Sequence, residues 1–410
     1  RGRRPGMHAE RVGEAPQGPA YHLITFGCQM NQHDSEVMGG MLEAMGYRPV
    51  DTPEQADLVL INTCCVRGSA EERAYGRIGQ LKALKEKRPG LVLAVAGCMV
   101  QQDGAARALL DRHPHVDLVL GTFDLPRLPE LVARAAAGER VEAVSPGPVS
   151  VEAREGLPAA RAPGVRAWVN ITYGCDNLCS YCVVPLVRGP QRSRRLGDIV
   201  CEVEGLVERG FKEVTLLGQN VNAYGRDLPG SPGLADLLTR LNRVPGLLRI
   251  RFTTSHPRDF TPKLVEAIAG LDKVCEHFHL PAQAGSNRVL ALMNRGYDRE
   301  HYLSLVAHIR RVMPLAGVTT DLMVGFPGEG EEDFQDTLDL VRRAEFDAAF
   351  TFIYSPRPRT PAAGLEGQVP HEVKQERLER LMAVQYPISL ARNQALVGSE
   401  VEVLVEGPSA

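Results

Sequence analysis

The chain has 410 residues, a formal net charge of −3 and a hydrophobic content of 44%. Its length is sufficient for two or three domains, and its charge excludes a global nucleic-acid signature, so a nucleic-acid partner would need a local basic patch. No apolar stretch approaches the roughly 20 residues needed to cross a membrane. Nine cysteines without a visible signal peptide favour a reducing cytoplasm, and metal binding or catalysis over disulfides.

The first predicted element is a disordered tail at residues 1–19, which are rich in Arg, Gly and Pro. A first domain follows at residues 20–145. Four apolar or β-branched segments in it are predicted strands: 21–26, 57–63, 91–96 and 117–120. Helices are predicted between them, the first from Ser35 to Met45 and the second ending near Lys87. Strands that alternate with helices indicate a parallel sheet with crossover helices.

Three cysteines of this domain come directly after predicted strands, namely Cys28, Cys64 and Cys98. Because open α/β sheets place their sites at the carboxyl ends of strands, we expect these three thiols to converge. They form a candidate three-thiolate site without a fourth cysteine of its own. The alternative is that they are small buried hydrophobic residues.

Cys65 is adjacent to Cys64, and neighbouring residues at a strand end point in opposite directions, so only one of the pair is expected to face the site. Asn31 and Asn62 flank the predicted ligands. They are candidates for hydrogen bonds to a bound group, or serve as turn formers.

Residues 146–165 are predicted to be a linker, because they are rich in Gly, Pro and Ala without periodicity. The second domain is expected at 166–395. Its predicted strands lie near 167–171, 212–217, 248–253, 274–280, 317–324 and 348–353, with helices between them. This pattern predicts a partial (β/α)6 barrel, whose site lies at the carboxyl ends of the strands.

The loop after the first of these strands contains Cys175, Cys179 and Cys182, in the spacing CxxxCxxC. Thiolates at this spacing can bind three irons of an iron–sulfur cube and leave the fourth iron open. A zinc site usually combines separated CxxC pairs into four ligands, and the chain has no second pair. Cys201 and Cys275 are predicted to be core thiols.

Polar or Gly-containing turns follow the other predicted strands and are expected to line the pocket, with Gly218, Gln219, Ser255 and Gln283 among them. The basic run Arg188–Arg195 follows the cysteine loop and includes Arg194. Such a run can bind a carboxylate or phosphates, or it is a solvated linker.

The last predicted elements are an amphipathic helix at 371–395 and an alternating segment at 396–410. The alternation is typical of the first strand of a small β domain. One strand alone cannot form a stable sheet.

The cysteine loop, with Tyr181 before its last cysteine, closely resembles the radical S-adenosylmethionine (SAM) signature. The whole span from about 21 to 407 resembles the methylthiotransferases, and within them the tRNA adenosine branch. The similar stretches are Thr25–Asn31, Asn62–Cys64, Leu217–Gly225, Thr253–Pro257 and Tyr354–Pro358. The terminal segment resembles the start of the RNA-binding TRAM β domain of this family.

The resemblance implies two 4Fe-4S clusters, one on Cys175, Cys179 and Cys182 and one on Cys28, Cys64 and Cys98. It implies that SAM serves as radical source and as methyl donor, with Tyr181 beside the adenine. The candidate SAM contacts are Tyr181, Gly218, Gln219, Arg194, Ser255 and Gln283.

The implied substrate is the anticodon stem-loop of a tRNA that carries N6-isopentenyl adenosine at position 37, which is methylthiolated at C2. The implied electron donor is a flavodoxin or ferredoxin, and the expected state is a cytoplasmic monomer. Gln191 and Cys65 depart from the family pattern, which commonly has a glutamate and a small or apolar residue there. The alternatives are the branches that modify a ribosomal-protein aspartate or threonylcarbamoyl-adenosine, and a non-catalytic iron–sulfur protein.

Overall fold

The computed structural model describes residues 18–66 and 68–407. The tail predicted at 1–19 therefore lies almost entirely outside the described residues. Among the helices that are described, none is long and apolar enough to span a bilayer. Two α/β domains follow one another along the chain, as the sequence predicts.

The first domain contains one parallel sheet of six strands. The strands are β1 (Ala20–Thr25), β2 (Arg48–Pro49), β3 (Leu58–Thr63), β4 (Val92–Gly97), β5 (Leu118–Leu120) and β6 (Val141–Ala143). Their order is β2-β1-β3-β4-β5-β6. All four predicted strands are present, whereas β2 and β6 are short edge strands that the sequence pattern did not indicate.

Both faces of this sheet are buried. In β3, Leu58 and Leu60 pack into one apolar cluster, while Val59 and Ile61 pack into another on the opposite face. Burial on two faces explains why the central strands are continuous apolar runs without polar alternation. The covering helices are α1 (Gln29–Ala44), α2 (Gly68–Lys87), α3 (Cys98–Gln101), α4 (Ala105–Arg112) and α5 (Leu128–Ala136).

Helix α1 begins at Gln29, six residues before the predicted start at Ser35. The prediction was wrong because the first turns contain buried polar residues, including Asn31, His33 and Asp34, which interrupt the apolar periodicity. Asn31 forms a hydrogen bond with Thr63 of the first domain. His33 and Asp34 instead contact residues of the second domain. The helix therefore starts directly after Cys28.

The second domain contains six parallel strands in two sheets of three. They are β7 (Arg166–Asn170), β10 (Glu213–Leu217), β11 (Arg249–Phe252), β12 (His277–His279), β13 (Gly317–Val324) and β14 (Ala348–Ile353). The sheets have the orders β11-β10-β7 and β12-β13-β14, and a parallel bridge between Ile250 and Val274 links them. The six strands are confirmed, and their closure into one partial barrel stays a prediction.

Two shorter strands, β8 (Thr172–Tyr173) and β9 (Arg192–Ser193), pair antiparallel at the ends of the cysteine loop. The helices of this domain pack on the outer face of the strands, where one apolar core contains side chains from most of them. They are α6 (Val184–Arg188), α7 (Leu196–Glu208), α8 (Leu234–Leu241), α9 (Pro262–Ala269), α10 (Asn287–Leu292), α11 (Arg299–Val312), α12 (Glu331–Ala344) and α13 (His371–Gln394).

The segment predicted as a linker, 146–165, has no α-helix or strand, but it packs between the domains. Ala160 donates its backbone N–H to Glu36 O at 2.8 Å. Arg161 forms ion pairs with Glu36 at 3.2 Å and with Glu202 of α7 at 2.6 Å. The segment is therefore part of the domain interface.

The terminal segment does not form the predicted strand within its described part, 396–407. It runs beside the second domain, where Arg249 donates to Glu402 O at 2.9 Å and Arg166 pairs with Glu406 at 3.2 Å. A strand needs a neighbour for its backbone hydrogen bonds, and these contacts are made by side chains.

Candidate functional site

The three predicted thiols of the first domain lie at the ends of neighbouring strands. Cys28 follows β1, Cys64 follows β3 and Cys98 follows β4, and these three strands are adjacent in the sheet. A hydrogen bond from the Cys64 thiol lowers the pKa of Cys28 to about 6, against the opposing effect of burial. The strand ends therefore bring these thiols close together, while their role as ligands stays a prediction.

Cys65 is also close to this group. Cys64 lines the cavity described below and Cys65 does not, yet a hydrogen bond from the Cys65 thiol lowers the pKa of Cys98. Cys65 packs with Cys98 against Val183 and Val187 of the second domain. The two neighbouring cysteines thus point to different sides, as expected, but both remain within the cysteine group.

Asn31 and Asn62 hold the strand ends in place. Asn31 Nδ2 donates to Thr63 O at 3.0 Å, and Asn62 Nδ2 donates to Asn31 O at 2.8 Å. Cys28 Sγ lies 3.3 Å from Asn31 Oδ1. Because their amide hydrogens are used within the protein, these residues position the Cys28 turn.

The second group of thiols lies on the loop between β8 and β9. Cys175 N donates to Gly189 O at 3.1 Å, and Ser180 N donates to Met293 O at 3.0 Å. Burial raises the pKa of Cys175 to about 11 and that of Cys182 to about 12. The loop is therefore fixed at its base and at its tip, and the thiols of Cys175 and Cys182 stay protonated near neutral pH unless a cation binds them.

Arg295 is a site residue that the sequence analysis missed. It is 4% exposed, and its Nη1 lies 3.3 Å from both Cys179 Sγ and the Tyr181 hydroxyl. Its Nη2 donates to Pro281 O at 2.8 Å. The signal available in the sequence was an arginine between two turn formers, Asn294 and Gly296. Both have positive φ in the turn after α10.

Thiols of both groups line one cavity of about 570 Å³, although Cys98 of the first group lies behind its wall. Five of the six predicted SAM contacts line this cavity. The lining includes Cys28, Cys64, Cys175, Cys179, Cys182, Tyr181, Gly218, Gln219, Ser255, Gln283 and Arg295. The carboxyl ends of the strands of both domains therefore face the same space.

Arg194 is the sixth predicted contact, and its placement corrects the prediction. Its guanidinium pairs with Glu155 at 2.6 Å and with Glu202 at 2.6 Å, and it donates to Asn170 O at 2.8 Å. It lines a different cavity, beside α7. Its side chain is occupied by these internal partners, which spacing in the sequence could not reveal.

In the basic run around Arg194 a second arginine is also buried, whereas Arg195 has a side chain 71% exposed. Arg188 is buried and pairs with Asp34 of α1 at 2.8 Å. From this position its charge lowers the pKa of Cys28 and Cys98, in addition to the thiol hydrogen bonds. A residue of the second domain thus sets the electrostatics of the first group of thiols.

The cavity wall offers unused polar atoms to a ligand. Ser255 Oγ and His256 Nε2 are buried and have no hydrogen-bond partner among the described residues. Burial lowers the pKa of His256 to about 3, with Arg295 adding to this effect, so the ring is neutral. At Gly218 a Cβ atom would collide with Thr172 Oγ1, so glycine allows a close approach there. These features fit a polar cofactor such as SAM.

Cysteine thiolates are the ligands that hold iron–sulfur clusters, so the chemistry of both groups of thiols fits such clusters. In the part of the chain that is described, no three His, Cys, Asp or Glu side chains are arranged to hold one ion. A cube spreads its thiolate ligands over different irons.

The two remaining cysteines lie outside both groups of thiols. Cys201, predicted to be a core thiol, is instead exposed, and Cys275 is half-buried.

Comparison with known families matches both domains. Residues 20–121 match the Uncharacterized protein family UPF0004, and residues 169–341 match the Radical SAM superfamily. Among solved structures, a radical S-adenosylmethionine methyltransferase from Kitasatospora setae, TsrM, has a TM-score of 0.62 at 15% identity, covering 85% of this chain and 74% of its own. The cobalamin-dependent radical enzyme OxsB has a TM-score of 0.57 at 12% identity, covering 90% and 56%. These similarities show the fold.

Curated relatives match nearly the whole chain. A tRNA-2-methylthio-N(6)-dimethylallyladenosine synthase from Moorella thermoacetica is 58% identical over 95% of this chain and 87% of the relative. A protein of the same name from Carboxydothermus hydrogenoformans is 52% identical over 95% and 88%. The chain therefore belongs to the family of tRNA-2-methylthio-N(6)-dimethylallyladenosine synthases, which are radical SAM enzymes.

Proposed function

We propose that this enzyme transfers a methylthio group to C2 of an N6-dimethylallyl adenosine at position 37 of tRNA. The observation that carries the proposal is the single cavity that Cys28 and Cys64 line together with the three cysteines of the loop. A reaction that needs a radical at one cluster and a sulfur donor at another requires both within reach of one substrate atom. The names of the relatives supply the substrate.

In this proposal Cys175, Cys179 and Cys182 hold one 4Fe-4S cluster and Cys28, Cys64 and Cys98 hold the other. When bound, the clusters supply the electron that cleaves SAM and the sulfur that is transferred. Arg295 lies against Cys179, and Arg188 lies near Cys28 and Cys98. Arg188 favours the thiolates of Cys28 and Cys98, and Arg295 favours those of Cys175 and Cys182 against the larger effect of burial.

The SAM contacts in this proposal are Tyr181, Gly218, Gln219, Ser255 and Gln283. The polar atom of Ser255 has no partner within the described residues. Gln283 has φ +70°, a strained conformation, which its position in the strand ladder beside Leu322 maintains. SAM is proposed to be both the radical source and the methyl donor.

The proposed partners are the tRNA anticodon stem-loop and a flavodoxin or ferredoxin, with a cytoplasmic monomer as the working state. Buried ion pairs occupy Arg188 and Arg194, so other cations must meet the RNA phosphates. Arg226 and Arg258 at the strand-end loops both pair with Asp259, but their side chains remain 57% and 44% exposed. They are the cations that we assign to phosphate contacts.

The competing branches act on a ribosomal-protein aspartate or on threonylcarbamoyl-adenosine, and a third alternative is a non-catalytic iron–sulfur protein. The consistent naming of relatives at 49–58% identity favours the dimethylallyladenosine branch. Offering stem-loop RNA and ribosomal protein side by side separates these branches directly.

The test combines iron counting with one variant. Anaerobic reconstitution should give about eight irons per chain, as expected for two cubes. Cys64→Ala should lose the methylthio product and still form 5′-deoxyadenosine from SAM. Cys201→Ala, which removes an exposed thiol of α7, is the matched control and should behave as the unchanged enzyme. Normal product from Cys64→Ala would overturn the division of labour.

A further inference from the structure

Phe350 is a large apolar side chain on the wall of the shared cavity. It is 54% exposed, although it lies within β14. Ala349 and Ile353 of the same strand pack against the apolar core on the outer face. Because side chains alternate along a strand, Phe350 projects from the opposite face, toward the cavity.

The surroundings of Phe350 are polar. Its ring meets the edge of His279, with 5.9 Å between the ring centroids. His279 Nδ1 lies 3.1 Å from Thr319 Oγ1, and its Nε2 lies 3.5 Å from Asp321, the register partner of Phe350 on β13. These side chains do not cover the apolar surface of the ring. Exposing that surface to water is unfavourable, which favours an apolar group there in the complex.

Few other cavity residues offer such a surface. Met30, Val184 and Leu217 line the cavity but are almost fully buried. Val66 is half exposed, and it lies on the other domain, beside the first group of thiols. Phe350 lies three residues before the end of its strand, whereas the proposed SAM contacts Gly218, Gln219 and Ser255 lie in loops after strand ends.

We infer that Phe350, with the ring of His279, forms the surface that receives the dimethylallyl group of the substrate adenosine. The inference rests on the proposed function, because that function supplies an apolar five-carbon group on the base. It assigns to Phe350 a role in specificity: the residue distinguishes adenosine that carries the group from adenosine that lacks it. An adenosine with an unmodified N6 amino group would leave the ring of Phe350 exposed to water.

The experiment uses the reconstituted holoenzyme and two anticodon stem-loop RNAs that differ only in the dimethylallyl group. The dissociation constant of each RNA is measured, together with methylthio product on the dimethylallyl RNA. The unchanged enzyme should prefer the dimethylallyl RNA, and Phe350→Ala should reduce this preference by about tenfold or more. Phe350→Leu should keep most of it, because the contact is apolar.

The matched control is Tyr386→Ala, which removes an aromatic side chain 71% exposed on α13, outside the cavity. It should leave the preference for the dimethylallyl RNA unchanged. Iron content and thermal unfolding report whether each variant is folded. If Phe350→Ala does not fold, Phe350→Leu and Phe350→Gln, which keep a side chain of similar length, give the comparison between apolar and polar.

Three results would overturn the inference: equal affinity of the unchanged enzyme for both RNAs, an unaltered preference in Phe350→Ala, or equal retention of the preference by Phe350→Leu and Phe350→Gln. In each case methylthio product from the unchanged enzyme would leave the proposed function intact. Failure of the unchanged enzyme to form that product would instead refute the proposed function, and the inference with it.

Discussion

Cys64 and Cys65 are adjacent in the chain and have different neighbours in the fold. Cys64 lines the shared cavity and forms a hydrogen bond with the thiol of Cys28. Cys65 forms a hydrogen bond with the thiol of Cys98 and packs against α6. Both are buried, so exposure alone does not identify the ligand. We propose Cys64 as the ligand because it, and not Cys65, lines the cavity beside Cys28.

We expect Cys65→Ala to retain about eight irons after reconstitution, and Cys64→Ala to retain about four. The reason is that only Cys64 faces the cavity with Cys28. Iron and sulfide assays on the purified variants measure this directly. If Cys64→Ala keeps about eight irons while the double variant keeps about four, Cys65 can replace Cys64 as a ligand, and our assignment is wrong.

The sequence could predict the thiols but not the arginines. A cysteine after a strand is placed by the backbone, because its side chain is short and the strand end fixes its position. An arginine reaches several ångströms from its backbone, so its role depends on partners that are distant in sequence. Arg194 is occupied by Glu155 and Glu202, and Arg295 reaches Cys179, a residue 116 positions away.

At the scale of elements, the ends of the strands place the cysteines of the first domain. Gly97 at the end of β4 has φ +104°, and a Cβ atom there would collide with the backbone oxygen of Thr63 on the neighbouring strand β3. The residues that follow are Cys98 and Cys64. The glycine therefore allows two strand ends to approach each other where their thiols must converge.

We expect Gly97→Ala to lower the free energy of unfolding by about 1–3 kcal/mol, the cost of a strained backbone, and to lower the iron content. The control is Gly79→Ala in α2, where a Cβ atom would meet nothing within 4 Å. It should be neutral or stabilising by up to about 1 kcal/mol. Denaturant unfolding and iron assays test both, and equal values for the two variants would contradict the argument.

Long elements were predictable from sequence and short ones were not. The predicted bounds of β13 agree with those observed, and those of α13 agree within one residue. Strands β2, β8 and β9 contain two residues each, too few to show a period. The start of α1 was hidden by polar residues, some of which have their partners in the other domain.

At the scale of the whole molecule, the shared cavity depends on how the two domains pack. His33 of α1 is buried at their interface, and its Nδ1 lies 3.0 Å from Asn170 Nδ2 of β7. The amide donates to this nitrogen, so the ring is neutral. Burial lowers the pKa of His33 to about 4, although the nearby charge of Glu202 acts in the opposite direction.

This interface should weaken in acid. An unfolded histidine has a pKa of about 6.5, so below that pH the unfolded chain binds a proton that the folded protein resists. Stability is therefore lost as the pH falls from about 6.5 toward the folded pKa. Between pH 7 and pH 5 the unchanged protein should lose about 2 kcal/mol more than His33→Gln, which keeps a hydrogen-bond acceptor without titrating. Urea unfolding at each pH measures this, and parallel pH profiles for the two proteins would refute it.

The position of Arg188 has a consequence for modular exchange of domains. This residue belongs by sequence to the second domain, yet it neutralises Asp34 and acts on the thiols of the first. Val183 and Val187 of the same segment cover Cys65 and Cys98. A chimera that grafts residues 20–145 onto another barrel would leave a buried carboxylate without its counter-charge. Residues 20–145 are thus not transplantable by themselves: a receiving barrel must also supply an arginine and apolar side chains where Arg188, Val183 and Val187 lie.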